Sequence, residues 1–370
     1  MINKDRLLSL FTEFVSIDNS SLEEKALCEK LKEKLSQLGI SFYEDDTAAK
    51  INGTAGNIYA YIKGEKRLAP ILLSAHTDSV EPAKSKKAVV HPDGTITSDG
   101  KTVLGADDIS GICAIIEALT SIKESGAAHR PIELLFDPAE EVYCKGIQQF
   151  DFSTLKSKEA YIFDLSGEVG TAAYQAPSIV SFTAALHGCA AHAAFSPEKG
   201  VHAIKAAAEA ISNIKCGKVE DTTVNVGTIK GGSADNVVAE SCIVTGEVRS
   251  FEDASARKQL EKIKAVFEST AKKFGAKVDF STETLCLAYK VEPTEKVSQR
   301  FKEVCGRLGL SGELTVTYGG SDNNHFFHHG IKGIVVASGM NNCHSCKEYT
   351  SLSELEKAAR IAEALILSDE

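Results

Sequence analysis

The sequence predicts a two-domain α/β protein, in which a small α+β domain is inserted into a larger α/β domain with a mixed sheet. At 370 residues the chain exceeds what one hydrophobic core usually supports. Short apolar runs alternate with helical patterns over residues 1–176 and again over 290–370, as in an α/β layer. Residues 177–289 instead follow a βαββαβ order, which is typical of a separate compact unit.

The first part of the larger domain begins with two predicted helices. The segment MINKDRLLSLFTEFVSID carries acids within its apolar pattern, so we expect an amphipathic helix and not a signal peptide. A second helix follows Ser20–Ser21 and Glu23–Glu24, which offer a capping box, and it ends at Gly39. The next predicted elements are the strands Ile71–Ala75, Ile132–Phe136 and Tyr161–Phe163, and the helix Ile109–Lys123.

The inserted segment and the last part of the chain complete the predicted topology. The predicted elements of the insert are the strands Ile179–Leu186, Thr223–Ile229, Cys242–Arg249 and Val278–Leu287, with helices over 200–213 and 255–274. After the insert we predict a helix over 294–308, an apolar strand Gly333–Ala337 and a final helix from Ser353. The larger domain is therefore expected to be built from two separate stretches of chain.

Composition narrows the class of partner and the compartment. The net charge of −10 disfavours nucleic acid and anionic membranes, because both require a surplus of basic residues on one face. No apolar run approaches the roughly 20 residues that span a bilayer, so we expect a cytoplasmic protein. In that compartment the ten cysteines are expected to be mostly reduced thiols.

Polar side chains gather where the predicted strands of the larger domain end. In open α/β sheets, ligands bind beyond the carboxyl ends of the strands. The residues at these positions are His76, Asp78, Glu140, Glu141, Asp164 and His344, and Asp107 and Asp108 stand just before a predicted helix. Two histidines and several carboxylates at one edge require a compensating positive charge, which a pair of divalent metals supplies. Imidazole and carboxylate ligands suit zinc, and also manganese or cobalt.

Each of these residues also has an ordinary structural interpretation. Asp107 and Asp108 resemble the acidic start of a helix, and Glu140 and Glu141 resemble a solvated surface pair. Asp164 is compatible with a turn. These interpretations become improbable together, since all of the residues would have to fall by chance at one end of successive strands.

Nine sequence blocks resemble the M20 family of metallopeptidases, in the family's order and along nearly the whole chain. The blocks are SAHTDSV (74–80), SDGKTVLGADDISGICAIIEAL (98–119), DPAEEVYCKG (137–146), FDLSG (163–167), HGCAAHAAFSPEKGVHA (187–203), GGSADNVV (231–238), GEVRSF (246–251), YGGSDNNHF (318–326) and CHSCKEYTSLSEL (343–355). The SDGKTVLGADD run is most similar to the peptidase T-like, or tripeptidase, branch. The resemblance implies a zinc-dependent exopeptidase with a catalytic domain and an inserted lid.

The resemblance also implies roles for individual residues of the larger domain. One metal ion would be held by His76, Asp107 and Asp164, and the other by Asp107, Glu141 and His344, with Asp107 bridging them. Asp78 would accept the far N–H of His76 and so fix its tautomer. Glu140 would be the general base that deprotonates a metal-activated water and returns the proton to the leaving amine.

Further residues match substrate-contacting positions of the family. His192, in the insert, matches a histidine that stabilises the tetrahedral oxyanion, and it could act within one subunit or across a dimer of lid domains. Asn236 and Arg249 match positions that hold substrate, with Arg249 suited to a peptide carboxylate. The loop containing Gly320 and Ser321 would line the substrate site. Either Asn236 or Arg249 could instead serve the fold.

The expected function is release of the N-terminal residue of tripeptides or other short peptides. A second hypothesis is an M20 amidohydrolase or dipeptidase that acts on N-acyl amino acids or dipeptides. A third is a thiol redox or metal-binding protein that works through Cys343 and Cys346, although these thiols lack the second cysteine pair of a zinc ribbon.

Tyr143 stands where relatives often have glycine, which could narrow the pocket.

Overall fold

The computed structural model describes residues 1–369 and divides them into two compact units. The larger unit contains Met1–Gln175, Lys290–Thr317 and the chain from Ser321, and the smaller unit contains Ala176–Tyr289 and Tyr318–Gly320. The predicted mixed α/β class and two-domain organisation are confirmed. The predicted boundaries place Tyr318–Gly320 in the larger domain. In the structure these residues belong to the smaller unit, where the backbone carbonyl of Tyr318 accepts a hydrogen bond from Arg249 at 2.8 Å.

The larger unit is built from short strands and seven helices within the described residues. Up to residue 176 its strands are β1 (Phe42–Glu44), β2 (Ile58–Ile62), β3 (Ile71–His76), β4 (Val89–Val90), β5 (Thr95–Thr97), β6 (Ile132–Asp137), β7 (Glu159–Leu165) and β8 (Thr171–Ala176). Its helices in this part are α1 (Lys4–Val15), α2 (Lys25–Gln37), α3 (Thr47–Ile51) and α4 (Ala106–Ser125). Three short helical turns accompany them, two of these within the larger unit.

The smaller unit and the return of the chain follow in order. The smaller unit contains β9 (Ser178–His187), α5 (Ala203–Ser212), β10 (Gly217–Val219), β11 (Thr222–Gly231), β12 (Ser241–Ser250), α6 (Asp253–Phe274) and β13 (Lys277–Cys286). The chain then forms β14 (Tyr289–Lys290), α7 (Lys296–Leu308), β15 (Glu313–Val316), α8 (Asn323–His328), β16 (Lys332–Ala337), β17 (Tyr349–Ser351) and α9 (Leu352–Leu367).

The main sheet of the larger unit has four parallel strands at its centre. Its order begins β1-β2-β6-β3-β7-β16-β8. Strands β6, β3, β7 and β16 run parallel, and β2 and β8 lie antiparallel on either side of this group. Helices α4 and α9 pack together, and α4 also packs against β3 and β7. The carboxyl ends of the four central strands therefore lie at one edge of the sheet. His76 and Asp164 lie at or near the ends of β3 and β7, and Glu141 and His344 lie in the loops after β6 and β16.

The smaller unit is an antiparallel sheet covered by two helices. Its strand order is β10-β11-β12-β9-β13, and its topology is the predicted βαββαβ with the short β10 added. Burial alternates along β9, as expected when one face of a sheet meets helices and the other does not. Phe182 of β9 packs within the core that includes Phe267 of α6 and Ala206 of α5.

The predicted capping box of the second helix is not formed. Helix α2 begins at Lys25, and its N-cap residue Glu24 makes no side-chain capping hydrogen bond. The hydroxyl of Ser21 donates to Asp78 at 2.6 Å, while Glu24 accepts the backbone N–H of Ala139 at 3.1 Å. Ser21 and Glu24 therefore form hydrogen bonds to the loops at the carboxyl edge of the sheet. Within residues 1–369 we find no helix that combines the length and apolar character needed to cross a membrane.

Candidate active site

Asp107 lies between the two predicted histidine ligands. Its Oδ1 is 3.1 Å from Nε2 of His76, and its Oδ2 is 3.3 Å from Nε2 of His344. Nε2 of His76 also faces Asp164 at 3.6 Å, and Nε2 of His344 faces Glu141 at 2.9 Å. The structure thus brings all five predicted ligands together, in two groups that share the Asp107 carboxylate.

The position of Asp107 depends on a break in the backbone before α4. Asp107 and Asp108 have non-helical backbone angles, so the regular helix begins after them. Asp108 accepts the backbone N–H of Gly111 at 3.2 Å, as an acidic residue at a helix start commonly does. The ordinary interpretation of this acidic pair therefore fits Asp108, whereas the carboxylate of Asp107 is directed to the histidines.

Asp78 holds several parts of the site in place. Its Oδ1 lies 3.3 Å from Nδ1 of His76, whose ring nitrogen also approaches the Asp78 carbonyl oxygen at 3.1 Å. The same carboxylate accepts the backbone N–H groups of Glu140 at 2.9 Å and Glu141 at 3.2 Å. Donation from Nδ1 leaves Nε2 of His76 as the lone-pair nitrogen, so Asp78 fixes both the imidazole and the Glu pair.

The loop after β6 separates the two neighbouring glutamates. Glu141 faces His344, while Glu140 belongs to a group in which ligand atoms of His76, Glu140 and Asp164 all lie within 4.8 Å of one another. Cys144 donates to Oε1 of Glu140 at 3.4 Å. Tyr143, which is 45% exposed, has a positive φ of 71° in this loop. The tight loop gives adjacent carboxylates different surroundings.

Buried carboxyl groups outnumber the cations that face them. The carboxylates of Asp107 and Glu141 raise the pKa of His344 to about 10. Burial raises the pKa of Asp164 to about 7, although its contact with His76 opposes this. Burial and the negative charge of Asp164 raise the pKa of Glu140 well above its usual range. The group is short of positive charge, which divalent metal ions would supply.

The residues fit divalent metal ions. Oε1 of Glu141 is buried and has no hydrogen-bond partner within residues 1–369. Two imidazole nitrogens and three carboxylates make up the set, and these are ligands that zinc, manganese and cobalt accept. An unpartnered buried carboxylate oxygen is costly unless a cation or a donor occupies the space beside it.

Sequence reasoning missed three residues that position this site. Glu348, which is 1% exposed, accepts the backbone N–H of Gly105 at 2.7 Å and that of Asp107 at 2.9 Å. Ser21 and Glu24 hold Asp78 and the loop before Glu140, and burial, with the charge of Asp78, raises the pKa of Glu24 to about 7. Glu348 lies four residues after His344, but no pattern in the sequence shows that its side chain points to the backbone of Gly105 and Asp107.

The predicted residues of the smaller unit occupy different environments. Nδ1 of His192 accepts the backbone N–H groups of Ala194 at 3.2 Å and Phe195 at 3.3 Å. The neutral ring therefore carries its proton on Nε2 and presents a donor. The side chain of Asn236 is exposed, and the backbone carbonyl of Asn236 accepts the backbone N–H of Ala193 at 3.0 Å. These residues form an anchored loop with a histidine donor.

Arg249 already has two partners within the smaller unit. Its Nε pairs with Glu247 at 2.7 Å, and its Nη1 donates to the carbonyl of Tyr318. Gly320 lies close to Cys286, since a Cβ added at Gly320 would be 3.0 Å from the sulfur. Ser321, in the larger unit, is 2% exposed and donates its backbone N–H to Asn324 at 3.0 Å. The roles of Arg249, Gly320 and Ser321 in substrate binding stay predictions.

The two cysteines that flank His344 are free thiols. Burial and the nearby charge of Asp107 raise the pKa of Cys343 well above its usual range. The carbonyl of Cys346 accepts a hydrogen bond from Ser98 at 3.1 Å. His344 lies between these two cysteines in the sequence, has a positive φ of 62°, and directs its ring to the carboxylates of Asp107 and Glu141.

Known proteins resemble this chain along its whole length. A family model described as "Peptidase dimerisation domain" matches residues 175–275, and one described as "Peptidase family M28" matches residues 57–209. An uncharacterised protein, YqjE of Bacillus subtilis, is 35% identical over 99% of both chains. A peptidase T of Exiguobacterium sp. is 26% identical over 85% of this chain and 77% of its own length.

Two solved structures are similar in sequence and fold. A tripeptidase from Staphylococcus aureus is 34% identical, with a TM-score of 0.93, over 99% of this chain and 98% of its own. The aminopeptidase PepT of Bacillus cereus is 33% identical, with a TM-score of 0.87 and the same coverage. The chain belongs to the M20 family of metallopeptidases. Within the M20 family it is peptidase T-like, and it is a metallo-exopeptidase, which implies divalent metal ions.

Proposed function

We propose that the chain is a dinuclear metallo-exopeptidase that releases the N-terminal residue of tripeptides, with zinc as the preferred metal. The position of Asp107 carries this proposal, because its two oxygens face two separate histidine nitrogens. His76, Asp107 and Asp164 would hold one ion, and Asp107, Glu141 and His344 the other. The likeness to a solved tripeptidase and to PepT supports the choice of substrate.

When bound, the two ions supply Lewis acidity, which lowers the pKa of water and polarises the scissile carbonyl. Glu140 takes a proton from the attacking water and later gives it to the leaving amine. Asp78 orients that base through the Glu140 backbone N–H, and the Cys144 thiol contacts Oε1. His192 donates from Nε2 to the developing oxyanion, since its Nδ1 is occupied by backbone donors.

The proposal is tested with a peptide panel after metal reconstitution. We expect hydrolysis of tripeptides with a free amine to exceed hydrolysis of N-acetyl amino acids, which the amidohydrolase alternative would favour. Glu140→Gln should keep its metal while turnover falls by at least about a hundredfold, because the general base is lost. A variant that retained most of its activity would sink the assignment of Glu140.

His344→Ala tests the ligand set separately from the chemistry. Removing the imidazole should lower the metal content of the purified protein, because Asp107 and Glu141 lose the neutral donor between them. Metal content measured by elemental analysis provides the readout. Unchanged content in this variant would refute the role of His344.

The proposal includes a homodimer formed through the smaller unit. The match of residues 175–275 to a peptidase dimerisation domain supports it. In such a dimer His192 could serve the site of its own subunit or that of the partner. Sedimentation of the purified chain, with and without metal, measures the oligomeric state, and a monomer under both conditions would refute this part.

A further inference from the structure

A second group of potential metal ligands contains Glu140 and neither His76 nor His344. Ligand atoms of Glu140, Cys144 and Asp322 all lie within 4.8 Å of one another. Cys144 and Asp322 are each 1% exposed, and the sulfur of Cys144 is 3.4 Å from Oε1 of Glu140. Neither Cys144 nor Asp322 belongs to the dinuclear ligand set.

Asp137, the last residue of β6, lies beside Asp322 of this group. Its side chain is wholly buried, and neither of its carboxylate oxygens has a hydrogen-bond donor within the described residues. Oδ1 of Asp322 is likewise buried without a donor. Burial and the adjacent charge of Asp322 raise the pKa of Asp137 well above its usual range. Two buried carboxylates that face each other need a cation or a shared proton between them.

The chemistry of the group favours a soft divalent cation. A single proton shared by the two aspartates would leave the thiol of Cys144 and the carboxylate of Glu140 beside that negative charge. One thiolate and the carboxylates of Glu140 and Asp322 offer three protein ligands, and zinc sites with three protein ligands take a water in the fourth position. Calcium and magnesium are disfavoured, because they select oxygen ligands and avoid sulfur.

We propose that Glu140, Cys144 and Asp322 form a third metal site, with Asp137 beside Asp322, for a thiophilic divalent ion such as Zn²⁺, and that its occupation inhibits the enzyme. On binding, the Cys144 thiol loses its proton to solvent and its sulfur becomes a ligand. Glu140 is then a ligand as well and no longer accepts a proton from water. The inhibitory part rests on the proposed function of Glu140, whereas the metal-binding part does not.

Cobalt substitution tests the binding site without measuring activity. Co²⁺ would be added to metal-free protein while the sulfur-to-cobalt charge-transfer absorption is followed in the near ultraviolet. The dinuclear set has no sulfur ligand, so we expect this absorption only after two equivalents are bound. It should be lost in Cys144→Ala and kept in Cys343→Ala, the matched control for the cysteine beside Asp107.

A separate variant guards against misfolding of Cys144→Ala. Asp137→Asn leaves every thiol in place and should weaken binding of the third Co²⁺ by at least about tenfold, since the carboxylate beside the ligand Asp322 loses its charge. Binding of only two ions, or absorption that disappears in Cys343→Ala and not in Cys144→Ala, would overturn the proposal.

A zinc titration of peptidase activity tests inhibition. In the unmodified enzyme, the ratio of activity at two equivalents to activity in excess Zn²⁺ should be about ten or more, because loss of a general base costs at least this much. In Cys144→Ala the ratio should approach one. An unmodified enzyme that is not inhibited by excess zinc contradicts the proposal. If no peptide is hydrolysed at any zinc level, the proposed function fails while the cobalt spectrum still decides the site.

Discussion

Glu348→Gln should weaken metal binding although Glu348 is not a predicted ligand. Its two carboxylate oxygens accept the backbone N–H groups of Gly105 and Asp107, and so hold the non-helical segment that presents the Asp107 carboxylate. Glutamine supplies only one acceptor, and its NH₂ group would face a backbone N–H. One buried N–H then lacks a partner.

The magnitude follows from that loss. A charge-assisted hydrogen bond to a buried group contributes about 1.5–3 kcal/mol, so we expect a stability loss of about 2 kcal/mol. Residues that orient metal ligands change metal affinity by about 10–100-fold when they are replaced. Because Asp107 is shared by both proposed metal positions, the affinity of both should fall.

Chelator competition at pH 8 measures the effect. Burial raises the pKa of Glu348 to about 7, so this pH compares an ionised carboxylate with an amide. Glu133→Gln is the matched control, since Glu133 is also wholly buried and accepts the backbone N–H groups of Lys156 at 3.0 Å and Ser157 at 2.6 Å. It lies near the opposite end of β6. Equal metal affinity in the two variants would refute the reasoning.

Two further predictions concern groups around the site. Burial raises the pKa of Glu24 from about 4.5 in the unfolded state to about 7 in the folded state. Between these pH values the folded state binds more protons than the unfolded state, so stability falls as the pH rises. Relative to Glu24→Gln, the unmodified protein should lose about 2 kcal/mol from pH 5 to 7.5 in denaturant unfolding, and parallel pH curves would contradict this. Tyr143→Gly should gain about 0.5–1 kcal/mol by relieving its left-handed backbone, and it should favour bulkier peptides. Glu220→Gly is the control, since Glu220 has a φ of 55° in an exposed turn, and it should give the same gain in stability without altering peptide preference. The same change of preference in both variants would contradict a role of Tyr143 in peptide selection.

The sequence predicted the fold well because its periodic patterns were strong and local. The strand Ile71–Ala75 appears as β3, Ile71–His76, and the predicted helix over 255–274 appears as α6, Asp253–Phe274. Such segments carry their signal in side-chain alternation or in a helical stripe. The short β10 was missed, since three residues in a hairpin offer too little pattern to detect.

The candidate ligands could be predicted from the sequence for a different physical reason. The topology of a parallel sheet places the ends of β3, β6, β7 and β16 at one edge, so position in the chain implies proximity in space. Nothing equivalent locates Glu348, whose carboxylate reaches back 241 residues to the N–H of Asp107. Long-range contacts between a loop side chain and a distant backbone depend on the complete fold.

The failed capping prediction has the same origin, and it indicates how the site is supported. Ser21 and Glu24 have the residue types and spacing of a helix cap, yet tertiary contacts with Asp78 and Ala139 engage both side chains. Each contact satisfies a buried group at the carboxyl edge of the sheet, where an unpaired donor or acceptor costs more than at an exposed helix end. Helix α2 begins without a side-chain cap because packing can replace that contribution, whereas Asp78 and the Ala139 N–H would otherwise each lose a buried partner. The same competition explains why Asp108 caps α4 while Asp107 does not: only Asp107 has two imidazole rings within reach.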